Sequence, residues 1–387
     1  MKIVYLIAGT FNAGGMERVL TSKANWLAAH GYEVIIVTTD QQGRRPYFKL
    51  DERIQTFDLG INYDEDNGRL LSKLLHYPMR QWRHRRRLTT LLKQQKADVV
   101  ICMFNNDVSF VYRLKDGSRK ILEAHFSKNK KLQYGRKGLW RLADGWRTWR
   151  EERIVRKYDR FVVLTHEDKE LWGNLPNICV IPNSGPTNRS LSPDPSPVRE
   201  GRLSRYLLKR VLAVGRLDYQ KGFDTLINIW KKTLSIVHYP LSIADWHLDI
   251  VGDGPLREEL QGQITRLGLQ DSVHLLPPMS DIQSAYLRSS IFVLTSRYEG
   301  LPMVLLEAQA YGLPIVAFAC PCGPRDIITD GDDGYLIPDG DEHLFVERLG
   351  QLMQSEELRS RMGAQAFKAS ARFNEEHVMQ QWKELLK

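Results

Sequence analysis

Two glutamates, Glu299 and Glu307, stand eight positions apart in the stretch SRYEGLPMVLLE, Ser296 to Glu307. Between them come Gly300 and Pro302, residue types that turn a chain and open a helix. The pattern predicts a tight loop with Gly300 in an unusual backbone turn, Pro302 at the first helical position, and Glu307 about a turn and a half further in. The amides of Met303, Val304 and Leu305 then lack intrahelical acceptors and, together with the helix dipole, favour an anion. The two carboxylates beside them can accept hydrogen bonds from hydroxyl groups. An anion next to hydroxyls suggests a nucleotide sugar. Arg216 and Lys221, five positions apart, add two cations. Arginine can fork two phosphate oxygens and lysine contributes a movable point charge, so the pair suits a diphosphate leaving group. A solvated loop pair is the plainer account of them.

These residues need strands that end beneath them. The apolar run Ile291 to Thr295 reads as a buried strand before the glutamate loop, and the helix after it closes at Gly312, ahead of Pro314. RVLAVG is the strand that delivers Arg216, with Lys221 in the loop before a helix starting near Asp224. WHLDIVG, the stretch Val273 to Asp281 and PIVAFA supply further strands. In the first half KIVYLIA, a helix ending near His30 and Gly31, and EVIIVTT make a βαβ start that lacks the G-x-G-x-x-G fingerprint. DVVICMF, KILEAHFS, RFVVLTHEDKELW and ICVIPNS continue the alternation, which is that of an α/β protein. His125 stands at the end of KILEAHFS, where open α/β sheets place their ligands. A satisfied polar residue is the alternative there. From Ser184 to Arg205 the chain is rich in Ser, Pro and charge without apolar period, a linker with its hinge near Asn183.

Three segments in order, LAVGRLDYQKGFDTLI, IVGDGPLREEL and SRYEGLPMVLLE, resemble the retaining GT-B glycosyltransferases of family 4, whose donor site carries a Glu-x7-Glu motif. The resemblance spans nearly the whole chain. It implies an α/β fold of two Rossmann-like doubly wound domains facing across a cleft, residues 1–183 for the acceptor and 184–370 for the nucleotide sugar. A C-terminal helix in 371–387 would cross back to pack on the first domain. The resemblance further implies that Gly14 and Gly15 let backbone approach the donor diphosphate or acceptor, and that His125 contacts the donor sugar. Gly252, Asp253 and Gly254 would line the nucleotide side, and the loop holding Met279 would meet the base. Pro277 and Pro278 depart from the glycine more usual in that loop. Within this scheme Glu307 is assigned to the ribose, and Glu299 with the backbone of Gly300 and Leu301 to the donor sugar. Arg216, Lys221 and the helix start at Pro302 to Leu305 would meet the charge on the departing nucleoside diphosphate.

With 387 residues, 42% of them hydrophobic, the chain is long enough for two cores. KIVYLIA is too short for a secretory leader, and no apolar stretch approaches a membrane span, so a cytoplasmic protein is expected. Cys102, Cys179, Cys320 and Cys322 read as structural thiols of a reducing compartment, without metal-ligand spacing. No D-x-D pair is set at a strand end, so neither metal nor cofactor is expected beyond the donor substrate itself. Residues 1–183 hold 33 Lys and Arg against 20 Asp and Glu, while 184–387 hold 22 against 26. Nucleic acid and an anionic membrane surface both attract such a basic half. Arg80 to Leu88 packs five arginines around Trp82, which favours the membrane. In Gly138 to Lys157, Leu139, Leu142, Trp146 and Trp149 share one helical face with arginines beside it, the pattern of an interfacial helix or of a core stripe with a solvated back. The combined expectation is retaining transfer of a hexose or N-acetylhexosamine, from a UDP-sugar before a GDP-sugar, to a lipid-linked saccharide in bacterial surface polysaccharide assembly. The enzyme would sit peripherally on the inner membrane face, with no nucleic acid as partner. Two rivals are a glycosidase using the paired carboxylates, and a catalytically inactive protein binding nucleic acid or membrane.

Overall fold

The computed structural model describes the chain apart from residues 13, 67–69, 129, 131–138, 174, 187–207, 237–244 and 280. Most of the expected linker, 184–205, therefore lies outside the described residues. Two compact units emerge, Met1–Pro182 with Met379–Lys387, and Asn183–Val378. Residues 371–378 thus group with the second unit, and the returning segment starts later than position 371.

The first unit contains β1 (Lys2–Ile7), α1 (Gly15–Ala29), β2 (Glu33–Thr38), β3 (Gln55–Asp58), α2 (Leu70–Gln95), β4 (Val99–Cys102), β5 (Arg119–Glu123), α3 (Leu139–Val155), β6 (Arg160–Val163), α4 (His166–Trp172) and β7 (Ile178–Val180). Its strands are all parallel, in the order β3-β2-β1-β4-β5-β6-β7. The central strands are apolar nearly throughout because helices cover both faces of such a sheet. Ile3, Val4, Tyr5, Ile35, Ile36, Val100, Ile101, Ile121 and Leu122 are accordingly fully buried. The edge strand β3 is mostly exposed and lacks an apolar run, so its sequence carries no strand signal.

The second unit contains β8 (Arg210–Val214), α5 (Phe223–Ile236), β9 (His247–Val251), α6 (Arg257–Leu267), β10 (Val273–Leu276), α7 (Ile282–Leu287), β11 (Ile291–Leu294), α8 (Met303–Ala310), β12 (Ile315–Phe318), α9 (Pro324–Ile327), β13 (Gly334–Ile337), α10 (Glu342–Gln354) and α11 (Glu356–Ala369). Its parallel sheet runs β10-β9-β8-β11-β12-β13. Each unit has its own core, one around Val4, Ile35, Val100 and Phe161, the other around Val211, Trp230, Ile250 and Phe345. The strand order reverses between β1 and β4 in the first sheet and between β8 and β11 in the second. A crevice opens at such a switch point, outside the carboxyl ends of the strands, because the flanking connections depart to opposite sides.

The last helix, α12 (Glu375–Leu386), turns Val378, Met379, Trp382 and Leu386 inward on one face. Its terminal carbonyls, which have no intrahelical donors, are met by Arg119 of β5, whose Nη1 and Nη2 donate to Leu386 O at 2.9 Å and Leu385 O at 2.8 Å. No described helix is long and apolar enough to cross a membrane.

Candidate active site

The loops after β8 and β11 flank the second switch point and are clasped to one another. Gly222 adopts φ +64°, and a Cβ there would stand 2.2 Å from Thr295 O, so only glycine lets the first loop close on the end of β11. Thr295 Oγ1 donates to Gly222 O at 3.0 Å. Arg297 completes the clasp, with Nη1 donating to Tyr219 O and Nη2 to Asp224 Oδ2, both at 2.6 Å. Lys221 is thereby carried to Glu299, Nζ to Oε1 2.7 Å, while Gln220 Nε2 reaches Glu299 Oε2 at 3.3 Å. Glu299 is 7% exposed, and a carboxylate that deep needs its cation. Lys221, expected as a point charge for phosphate, is first of all the counter-ion of Glu299.

Arg216 leaves the end of β8 with its side chain 71% exposed, steadied by Nε donation to Asp218 Oδ2 at 2.7 Å. The next loop lies directly against it: a Cβ on Gly252 would stand 1.9 Å from Gly215 O, and one on Gly254 2.4 Å from Leu217 O. Leu217 N donates to Asp253 O at 2.9 Å, and Arg257 Nε holds the exposed Asp253 carboxylate at 3.0 Å. Hydrogen bonds from Arg257 and the Gly254 amide keep that carboxyl below its usual range. Met279, exposed, lies in the loop after β10, the strand beside β9.

The glutamate loop departs from expectation in three details. Pro302 is the N-cap, with φ −71° and ψ 95°, and the helix begins at Met303. Leu305 N donates to Pro302 O at 2.9 Å, so the amides of Met303 and Val304 are the open pair. Gly300 is not among the residues with positive φ; the left-handed glycine beside this loop is Gly323, φ +100°, at the N-cap of α9, where a Cβ would meet Pro302 Cδ at 2.5 Å. Met303 and Val304 are half-buried while Leu305 to Ala310 are buried, which leaves the helix start as the open part of α8. Glu307 is buried within the helix and accepts from Tyr286 Oη at 2.6 Å. Tyr286 is itself stacked against Phe292 and Tyr311, at centroid distances of 5.8 and 5.2 Å.

In the first unit Gly14 is the N-cap of α1, with φ −79° and ψ 157°, and Gly15 opens the helix. Neither has a left-handed backbone, so what they contribute is small size, and a Cβ on Gly15 would meet nothing within 4 Å. His125 lies two residues past β5, with Nε2 3.1 Å from Glu123 Oε1. Glu123 also pairs with Lys23 of α1. Sequence reading missed Gln220, Arg297, Tyr286, Lys23 and Glu123. For Glu123 a signal existed, since it stands two positions before His125 on the same face of an extended chain.

The structure therefore brings Arg216, Lys221, Gly252 to Gly254 and Glu299 to Val304 to the carboxyl edge of one sheet, with Met279 on the loop after the outermost strand. His125, Gly14 and Gly15 belong to the corresponding edge of the other. Among the described residues no cluster of His, Cys, Asp and Glu could hold a metal ion. None of the four cysteines is in a disulfide.

Two doubly wound parallel sheets with such loops at their carboxyl edges define the GT-B class of α/β enzymes. The model for glycosyl transferases group 1 matches residues 207–369, and that for glycosyltransferase family 4 matches residues 13–189. The amylovoran biosynthesis glycosyltransferase AmsD of Erwinia amylovora is 31% identical, covering 100% of this chain and 99% of its own length. A Campylobacter jejuni enzyme named as an alpha-1,4-N-acetyl-D-galactosaminyltransferase acting on a diNAcBac-PP-undecaprenol-linked saccharide is 25% identical, over 100% of this chain and 98% of its own. TarM of S. aureus, crystallised with UDP, alpha-GlcNAc-glycerol and Fondaparinux, superposes with a TM-score of 0.74 at 15% identity, covering 100% of this chain and 99% of TarM. The chain belongs to glycosyltransferase family 4, with the GT-B fold.

Proposed function

We propose that the enzyme transfers a hexose or N-acetylhexosamine, with retention of configuration, from a nucleotide sugar to a lipid-linked saccharide during bacterial surface polysaccharide biosynthesis. The observation that carries this is the convergence of Arg216, the Lys221–Glu299 pair and the open start of α8 at the switch point of the second sheet. As the glycosidic bond of the donor breaks, negative charge gathers on the nucleoside diphosphate. Arg216, Lys221 and the Met303 and Val304 amides answer it without a metal ion. Lys221 enters this role from an ion pair whose net charge is zero, so contact with phosphate shifts its hydrogen bonds between Glu299 and the ligand. Glu299, with the backbone of Gly300 and Leu301, then takes hydroxyls of the donor sugar. Glu307 takes those of the ribose, with the Gly252 to Gly254 turn and the Met279 loop on the nucleotide side. In the first unit His125 offers a polar contact to a sugar hydroxyl, and Gly15 leaves space for close backbone approach.

UDP is favoured over GDP as the nucleotide, with support from the UDP-bound relative. The lipid-linked acceptor draws on the Campylobacter enzyme and on the basic α2, and surface polysaccharide on the amylovoran enzyme. The face of α2 bearing Trp82, Arg83 and Arg86 suits peripheral attachment to an anionic inner membrane surface. Incubation with UDP- and GDP-sugars in EDTA, with a polyprenyl-diphosphate saccharide as acceptor, tests the reading. Acceptor-dependent release of UDP, with the anomeric configuration of the donor retained in the product by NMR, is the expected result. Activity lost in EDTA and restored by a divalent ion removes metal independence, and no release from any donor removes the whole reading.

A further inference from the structure

At the carboxyl end of β5 a charged network lies almost entirely out of solvent. The side chains of Lys23, Glu123 and His125 are 4%, 1% and 7% exposed. Lys23 of α1 and Nε2 of His125 address the same carboxylate oxygen, Oε1 of Glu123. Trp382 of α12 covers the ammonium, its ring centroid 4.3 Å from Nζ, and the Tyr5 ring lies 5.7 Å away on β1. All five residues belong to the first unit.

Burial by itself raises the Glu123 carboxyl, but the Lys23 ammonium, first among its neighbours, and the adjoining His125 ring outweigh it and hold the group down at about 2. Glu123 is therefore an anion at every physiological pH. An anionic oxygen 3.1 Å from an imidazole nitrogen excludes a lone pair on that nitrogen, because two lone pairs facing at this distance repel. Nε2 must carry the proton. The contact is not aligned as a hydrogen bond, so the attraction is mainly that of charge for dipole. In the neutral ring Nδ1 is then the acceptor, and it is the nitrogen turned away from Glu123.

We propose that Glu123, its charge secured by Lys23 beneath Trp382, is a positioning residue that fixes His125 as the Nε2–H tautomer and presents Nδ1 to accept a hydrogen bond from a sugar hydroxyl. The identity of the hydroxyl rests on the transferase reading, whereas the tautomer does not. Stability is a poor reason for such a cluster, since a buried ion pair can often be exchanged for apolar residues of similar volume at little loss.

The test is nitrogen-15 NMR of the histidine rings in the full chain, with His125 signals assigned by their absence in H125N. Wild type should show Nε2 protonated and Nδ1 as the unprotonated nitrogen. E123Q removes the anion and keeps a polar group, while the double variant K23M/E123L replaces the pair by an apolar one and should still fold. In both, the His125 shifts should move toward an average of the two tautomers. In E123Q the KM for the donor sugar should rise or kcat fall tenfold or more, with the Kd for free UDP unchanged. A wild-type ring protonated at Nδ1, or His125 shifts in K23M/E123L identical to wild type, overturns the proposal. Absence of sugar transfer by wild type would instead overturn the functional reading and leave the NMR result to decide this one.

Discussion

Lys221 Nζ lies 2.7 Å from Glu299 Oε1, and this contact joins the loops on either side of the strand reversal in the second sheet. Both groups are shielded, with side-chain exposures of 17% and 7%, so each is costly without the other. Lys221→Ala leaves a buried carboxylate uncompensated and should lower stability by about 3–5 kcal/mol. The double variant K221M/E299Q should lose much less, because no charge is stranded. A urea double-mutant cycle measures the difference. Additive single effects would show that the ion pair is incidental.

Gly222 makes that contact possible, and its replacement should reach the site without touching any ligand. Alanine would meet the left-handed φ of +64° and place Cβ 2.2 Å from a backbone carbonyl that cannot move without displacing β11. The expected cost is roughly 2–4 kcal/mol. Sugar transfer should fall by about tenfold or more, since a misplacement on the order of 1 Å is enough. A melting temperature and kcat equal to wild type would mean that the loop can close in another way.

The strands and the order of the site loops were legible because parallel strands buried on both faces leave short apolar runs bounded by turn residues, as in IFVL and IVAF. Arg216, Lys221 and Glu299 follow from their place just after those runs. What was not legible is pairing at long range. Glu299 meets a lysine 78 residues away, and Arg297 ties two loops that only the folded sheet makes adjacent. The role of Pro302 depends on whether its own φ and ψ are helical, which the residue type leaves open: φ fits a helix and ψ at 95° does not. The helix Leu139–Val155 had two readings, interfacial or core. Trp146 and Trp149 are exposed, with Arg150 and Arg153 set over their rings at 5.7 and 3.7 Å, so the core stripe fails at the tryptophans. The side chains of Leu139 and Leu142 lie outside the described residues.

On α2, Arg83, Arg86 and Trp82 line a groove of 570 Å³ beside β3, whereas Arg87 is committed to the carbonyl oxygens of Leu59 and Gly60. Arg83, Arg86 and Trp82 are exposed and can meet a lipid surface, whereas Arg87 is structural. Each exposed basic residue contributes about 1 kcal/mol at an anionic surface. R83E/R86E should weaken sedimentation with vesicles containing phosphatidylglycerol by a factor of about thirty or more, with unchanged melting. Arg87→Ala should destabilise the fold instead. Equal vesicle binding by R83E/R86E and wild type would detach this helix from the membrane.

Asp107, just past β4, is buried, and burial pushes its carboxyl up to about 6, only partly offset by the Cys102 thiol, 3.0 Å away, and by neighbouring amides. The folded state therefore holds this proton more tightly than the unfolded chain, whose carboxyl titrates near 4. Between roughly pH 4 and 6 the native state binds more protons at this group, so its contribution to stability falls as pH rises through that window. Two pH units of difference correspond to roughly 3 kcal/mol. Asp107→Asn removes the titration, so the stability of wild type relative to the variant should drop by about that amount from pH 4 to pH 7. Parallel denaturation curves for the two proteins across this range would show that Asp107 is ionised without penalty.

Arg216 differs from the shielded Lys221 and Glu299 in being largely solvated, so an effect of its removal on turnover can be read apart from any effect on folding. Its Nε is held by Asp218, which fixes the plane of the guanidinium and leaves both Nη groups to face outward from the end of β8. Two parallel N–H donors in a fixed plane match two oxygens of a diphosphate, a match that lysine cannot reproduce. Arg216→Ala should therefore leave stability within about 0.5 kcal/mol of wild type, as expected for an exposed side chain. Its kcat should fall roughly a hundredfold, because the charge on the leaving group goes unanswered when it is greatest. Arg216→Lys should recover only part of that loss, since it restores the charge without the fork. If the alanine variant instead kept its kcat and raised only KM, Arg216 would bind donor and transition state equally, and the charge of the departing diphosphate would have to be met by Lys221 and α8 alone.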